Sequence, residues 1–184
     1  MDRLVTLISR LFGWSLLLLS AFVGLETMLR KLFNTSLQGA DELGGYVLAV
    51  GSSLAFIVAL ADRAHIRIDL LHRRLPATAQ GVLDCVAAVT LAMLGGFFLY
   101  VGWFVIEDTL SYGSTAATPW ATPLIWPQGA WYAALATFAA VAIGLGLYAV
   151  RLAFAGRWDV LARQFNPRGA EEEVAEELAD QARR

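Results

Sequence analysis

The apolar positions of this chain come in long unbroken runs. They show neither the alternation of a half-buried strand nor the single stripe of a surface helix. Leu43–Ala61 carries no charge over 19 positions, and Cys85–Ile106 carries none over 22. Leu11–Leu25 is uncharged over 15 positions, then comes Glu26, then Thr27-Met28-Leu29 before Arg30-Lys31. Thr109–Val150 is uncharged over 42 positions, but Pro119, Pro123 and Pro127 interrupt it, so one helix is expected only after Pro127. Crossing about 30 Å of hydrocarbon takes about 20 mostly apolar residues. In lipid the backbone must satisfy itself as a helix or a closed barrel, and continuous runs exclude the barrel. The pattern predicts an all-α polytopic membrane protein with transmembrane helices near 8–32, 43–62, 82–106 and 129–154. The first run is too long for the apolar stretch of a signal peptide, and no small-residue cleavage site follows it before Arg30, so it is expected to be retained.

Basic residues set the expected orientation. Twelve of the 14 Lys and Arg fall on the N-terminus, the 62–81 loop and the C-terminal segment, and two on the first loop. Positive residues stay cytoplasmic, so both termini and the 62–81 loop are expected inside, with the 33–42 and 107–128 loops outside. Around Ile66, Ile68, Leu70, Leu71 and Leu75 the inner loop has helical spacing, flanked by Arg67, His72, Arg73 and Arg74. This predicts a short amphipathic interfacial helix over 62–76, stopped by Pro76, whose Arg67, Arg73 and Arg74 meet lipid phosphates while His65 and Asp69 hold the loop against helix 2 or 3. Trp120, Trp126, Trp131, Tyr112 and Tyr132 suit an outer aromatic belt. Residues 1–155 form the expected membrane domain, and 156–184 an acidic cytoplasmic tail that is helix-prone and solvated.

Composition agrees and narrows the chemistry. The chain is 58% apolar and 16% charged, against about half and a quarter in soluble domains. A net charge of −2 marks no nucleic-acid partner. One cysteine, Cys85, excludes an internal disulfide and a cysteine-based zinc site. The expected helix middles carry only Ser20, Ser52, Ser53, Thr90 and Thr137 as polar groups, whereas an ion pathway wants carboxylates at depth. Glu26 falls near the outer interface, with Arg30 four residues on as its expected partner. His65 and His72 share one loop, which does not suit a haem held inside a bundle. No cofactor, metal site or catalytic motif is read, and the chain is not expected to be an enzyme. What remains is packing. Ala136, Ala140 and Gly144 form a small-residue ridge on the last helix, and Ala88, Ala92 and Gly96, with Gly95 and Gly102, line the third. Such ridges allow close helix approach. One should serve the internal bundle and another a larger membrane partner, to which this chain would be a helper. An independent four-helix carrier or membrane-bound enzyme is the competing reading.

Gly39-Ala40-Asp41-Glu42-Leu43-Gly44-Gly45-Tyr46, an apolar helix, then Ala64-His65-Ile66-Arg67-Ile68-Asp69-Leu70-Leu71-His72-Arg73-Arg74-Leu75-Pro76 and two Thr-Pro steps, Thr118-Pro119 and Thr122-Pro123, follow in order. This series resembles the small membrane subunit of tripartite ATP-independent periplasmic (TRAP) transporters, the DctQ-like family, over nearly all of the chain up to about residue 155. Two departures are local: Asp41 replaces the first acid of the family's pair, and Gly39-Ala40 stand where an aromatic residue is usual. The acidic tail is outside the pattern. The resemblance implies a bacterial inner-membrane location. It also implies pairing with a large membrane subunit that carries the substrate and sodium sites, as part of a static scaffold. A periplasmic binding protein would deliver the solute, an organic acid or sulfonate, and an ion gradient would drive uptake. Asp41 and Glu42 open the second helix, where carboxylates favour the N-terminus. They are expected to join the 107–128 loop in a surface that receives the binding protein.

Overall fold

In a computed structural model the described residues are 2–61, 75–158 and 160–161. They form four helices: α1 (Asp2–Phe33), α2 (Ala40–Ala61), α3 (Ala77–Tyr112) and α4 (Ile125–Phe154). All four are long and apolar enough to cross a membrane. At 1.5 Å per residue, even α2 spans roughly 33 Å.

Three of the expected spans lie within observed helices, and 43–62 does so up to Ala61, where α2 ends; the helices run further for local reasons. α4 starts at Ile125 rather than after Pro127, because a proline in the first turn gives up an N–H that has no helical acceptor there. α2 takes in Asp41 and Glu42 as its first turn. α3 continues past Glu107 and Asp108 to Gly113, whose φ of 58° places it in the left-handed region. There the Gly113 and Ser114 N–H groups both close on the Thr109 carbonyl, the glycine-ended cap that lets a chain leave a helix. The exposed connection is therefore 113–124, shorter than 107–128.

The helices form a row rather than a closed bundle. α3 and α4 share the largest interface, α2 packs on α4, and α1 packs on α2. α4 is the most buried of the four, and no part of α1's most apolar window is buried. Between α3 and α4, a Cβ at Gly146 would lie 2.8 Å from the Ala92 methyl, and one at Gly95 would lie 3.1 Å from Ala139 Cα. Between α2 and α4 the core is Ile57, Leu60, Phe138 and Ala142. The Phe12 ring of α1 abuts Gly51 of α2 and leaves no room for a Cβ.

At the opposite end to the 34–39 and 113–124 connections, the chain leaves α4 through Gly156 at φ 67°. The Gly156 N–H donates to Ala153 O and the Arg157 N–H to Leu152 O. The return brings Trp158 against Gly81 of α3 and buries Leu161 completely. Asp84, one turn along from Gly81, is also buried. The amphipathic helix expected over 62–76 falls almost wholly outside the described residues, and so does the tail from 162 onward.

Candidate functional site

Three buried polar groups, Glu26, Glu42 and Thr109, gather where the 34–39 and 113–124 connections meet, the paired-loop end. α1 places Glu26 two turns before its C-terminus, 3% exposed. Glu26 Oε1 accepts from Arg30 Nη2 at 2.9 Å and from the Ser36 hydroxyl at 2.5 Å. Its Oε2 accepts from the Leu37 N–H at 2.6 Å. Arg30 reaches it because residues four apart stack on one helix face. The Leu37 N–H has left the helix and has no ladder partner, so the carboxylate satisfies it with a charge-assisted bond. The Ser36 hydroxyl in turn accepts from the Gln38 N–H at 3.0 Å. Glu26 thus fixes the path of the whole α1–α2 connection.

Glu42 does the same work for the other connection. It is 6% exposed and accepts from the Tyr46 hydroxyl at 2.9 Å. It also accepts from the Thr118 hydroxyl, 76 residues further along the chain, with the Thr122 hydroxyl beside it. Thr118 reaches Glu42 because the 113–124 connection folds as a small hairpin. The Ala116 N–H bonds Thr122 O, the Leu124 N–H bonds Ser114 O, and the Ala121 N–H bonds Thr118 O. Pro119 takes the second position of that last turn, where its fixed φ fits. The tip also carries Trp120, whose Nε1 donates to Leu37 O at 3.1 Å. Its ring lies on Gly39, and a side chain at 39 would collide with it. Leu37 is therefore held from both sides, by Glu26 through its N–H and by Trp120 through its carbonyl. Further ties run between α3 and α4: Thr109 Oγ1 to Gln128 Oε1 at 2.5 Å, and the Tyr132 hydroxyl to Leu99 O at 3.3 Å.

This arrangement ties the two connections together as a clamp. Both carboxylates are engaged by donors, and among the described residues no three His, Cys, Asp or Glu side chains gather as a metal site. Of the residues singled out from sequence, Glu42 is in the clamp, while Asp41 beside it is exposed. Gly96 and Gly144 look onto open space, with nothing within 4 Å of a Cβ at either position. Ala140 is exposed and Ala136 half-buried. The close α3–α4 approach uses Gly95 and Gly102, both singled out from sequence, and Gly146, two positions after Gly144. His65, Arg67, Asp69, Arg73 and Arg74 lie outside the described residues. Ser36, Thr118 and Trp120 were not foreseen as a group. Thr118 carries a signal only through its Thr-Pro step, and Trp120 reads as one of many interfacial aromatics.

The family model for the DctQ component of the tripartite ATP-independent periplasmic transporters matches residues 19–152. That stretch runs from within α1 almost to the end of α4 and contains every residue of the clamp. None of the curated proteins and none of the solved structures compared with the chain matches it. With four candidate spans and a match over most of its length, the chain belongs to the DctQ component family of TRAP transporters, a multi-pass component of the bacterial inner membrane.

Proposed function

We propose that this chain pairs with the large membrane subunit of a TRAP transporter and enlarges the static scaffold against which that subunit's transport part moves. The solute, an organic acid or sulfonate, would be delivered by a periplasmic binding protein, and its uptake driven by a sodium gradient. The family match over residues 19–152 carries this reading. The geometry supports it in two ways. No Asp, Glu, Lys, Arg or His side chain occupies the middle third of any of the four helices, and coupling an ion would call for a carboxylate at depth. Alternating access moves one rigid unit against another, and the clamp braces the end where two of the connections meet. The distribution of Lys and Arg supports placing that end in the periplasm.

α4 turns Ala133, Thr137, Ala140 and Gly144 outward as a smooth exposed strip, and we assign this strip to the large subunit. Gly144→Leu is expected to leave insertion and melting of the isolated chain unchanged. It should abolish co-purification with a co-expressed large subunit, since overpacking a close helix contact costs about 1–3 kcal/mol. Undiminished co-purification would mean that the strip faces lipid.

Asp41 and Glu42 are expected to separate. Asp41→Asn, at an exposed position, should lower transport while the yield of complex holds, because its carboxylate faces the binding protein. Glu42→Ala should lower yield and transport together, because it removes the acceptor for Tyr46 and Thr118. A parallel fall in yield for Asp41→Asn would make that residue structural as well.

A further inference from the structure

The α1–α2 and α3–α4 hairpins are joined in two places of different character. Toward the C-terminal end of α2, Ile57 and Leu60 pack on Phe138 and Ala142, midway along α4, in a buried apolar contact. At the paired-loop end the joint is small and polar, made by the Thr118–Glu42 and Trp120–Leu37 bonds and by the Trp120 ring on Gly39. Trp120 remains 46% exposed while seated.

Among the described residues, left-handed backbone outside glycine occurs only in the two connections that meet at this second joint. Among the described residues, the non-glycine positions with positive φ are Asn34 (51°), Gln38 (59°) and Ala121 (48°). Two lie in the 34–39 connection and one in the turn that carries Trp120. Left-handed backbone is unfavourable for any residue with a Cβ, and alanine lacks the short polar side chain that eases it in asparagine. Such conformations persist only while their surroundings hold them, and they collect in segments that switch. The two in the 34–39 connection are held by the Glu26 and Ser36 bonds on one side and by Trp120 on the other, and Ala121 is held by the turn that the Thr118–Glu42 bond seats.

We propose that the Thr118–Ala121 turn is a releasable latch between the two hairpins. Seated, it ties the α1–α2 connection to the α3–α4 hairpin. When Trp120 leaves Gly39, both connections relax together and the packing of α2 on α4 stays intact. Release uncovers Gly39 and the Leu37 carbonyl next to the exposed Asp41, so the state of the latch sets the surface presented at this end. The latch is a property of the chain itself and goes beyond the scaffold reading, so either can fail without the other.

Hydrogen exchange of the full chain in phosphatidylethanolamine–phosphatidylglycerol nanodiscs tests it, because both connections contain bonded amides: Leu37 and Gln38 in one, Ala116 and Ala121 in the other. Gly39→Ala evicts the Trp120 ring without adding a polar group. It is expected to speed exchange in both connections, by at least about tenfold for a locally opening segment, with 53–60 and 134–146 unchanged. Ala121→Gly relieves the strained φ of the seated turn and is expected to slow exchange in both. Should either substitution alter one connection alone, or should Gly39→Ala speed exchange through α2 and α4 as well, the joint is ordinary packing and the proposal is wrong. If Gly39→Ala does not fold, the paired slowing in Ala121→Gly decides by itself.

Discussion

Gly146→Leu is expected to drive α3 and α4 apart and to lower the melting temperature of the purified chain markedly. A Cβ at 146 would already lie 2.8 Å from the Ala92 methyl and 3.2 Å from the Ala88 carbonyl oxygen. Three further carbons have nowhere to go without moving a helix. Between helices in lipid, close van der Waals packing replaces the hydrophobic drive, so widening this contact removes what holds the pair. Overpacking typically costs about 1–3 kcal/mol, and in a chain of this size each kcal/mol lowers the melting temperature by roughly 2–4 °C. Gly144→Leu is the matched control, two positions earlier on the face where a Cβ meets nothing within 4 Å. Thermal melting in one detergent should separate the two variants clearly. Equal melting curves would mean that the inward face of α4 is misassigned.

Glu26→Leu is expected to have the largest effect at the paired-loop end. The carboxylate accepts three donors at once: the Arg30 guanidinium, the Ser36 hydroxyl and the Leu37 N–H. An isobutyl group accepts none. The Leu37 N–H would be left without a partner, and such orphaned backbone donors are costly in a folded chain. The 34–39 connection should lose its course and with it the seat for Trp120. Limited proteolysis should then cut within 34–39 faster than in the wild-type chain, and the yield of folded protein should fall. Glu26→Gln keeps an acceptor oxygen and should lie between the two. If Glu26→Leu is cut no faster than the wild type, the bonds to Glu26 do not fix the connection.

Much of this fold is written in the runs of apolar residues. Four continuous stretches sufficed to place α1 to α4, because burial in lipid demands long helices whatever their sequence detail. The ends were less legible. Helix termini outside the hydrocarbon answer to local chemistry, such as the tolerance of a first turn for Pro127 or the left-handed cap at Gly113. The row arrangement could not be read at all, since an apolar helix surface looks the same whether it meets lipid or a neighbour. For that reason the Ala136–Ala140–Gly144 ridge looked like an internal contact as readily as an external one. The structure turns Ala140 and Gly144 outward and uses Gly146. The Glu26–Arg30 pair was visible from its spacing alone. Glu42 was visible as a helix-start carboxylate, but its bond to Thr118 joins residues 76 positions apart, and no local pattern carries that. Trp158 and Leu161 lie within the segment expected to be a solvated tail, yet they return to the protein because Gly156 turns the chain back onto α3.

The scaffold assignment meets its most direct test in proteoliposomes loaded with this chain alone, and in matched vesicles that also contain the large subunit and are supplied with the binding protein. Uptake of a panel of labelled organic acids and sulfonates would be followed under an inward sodium gradient. The account predicts gradient-driven uptake of at least one solute by the complete system, its loss when this chain is omitted, and none through this chain alone. Uptake through this chain by itself would contradict the account, and so would a large subunit that transports equally well without it.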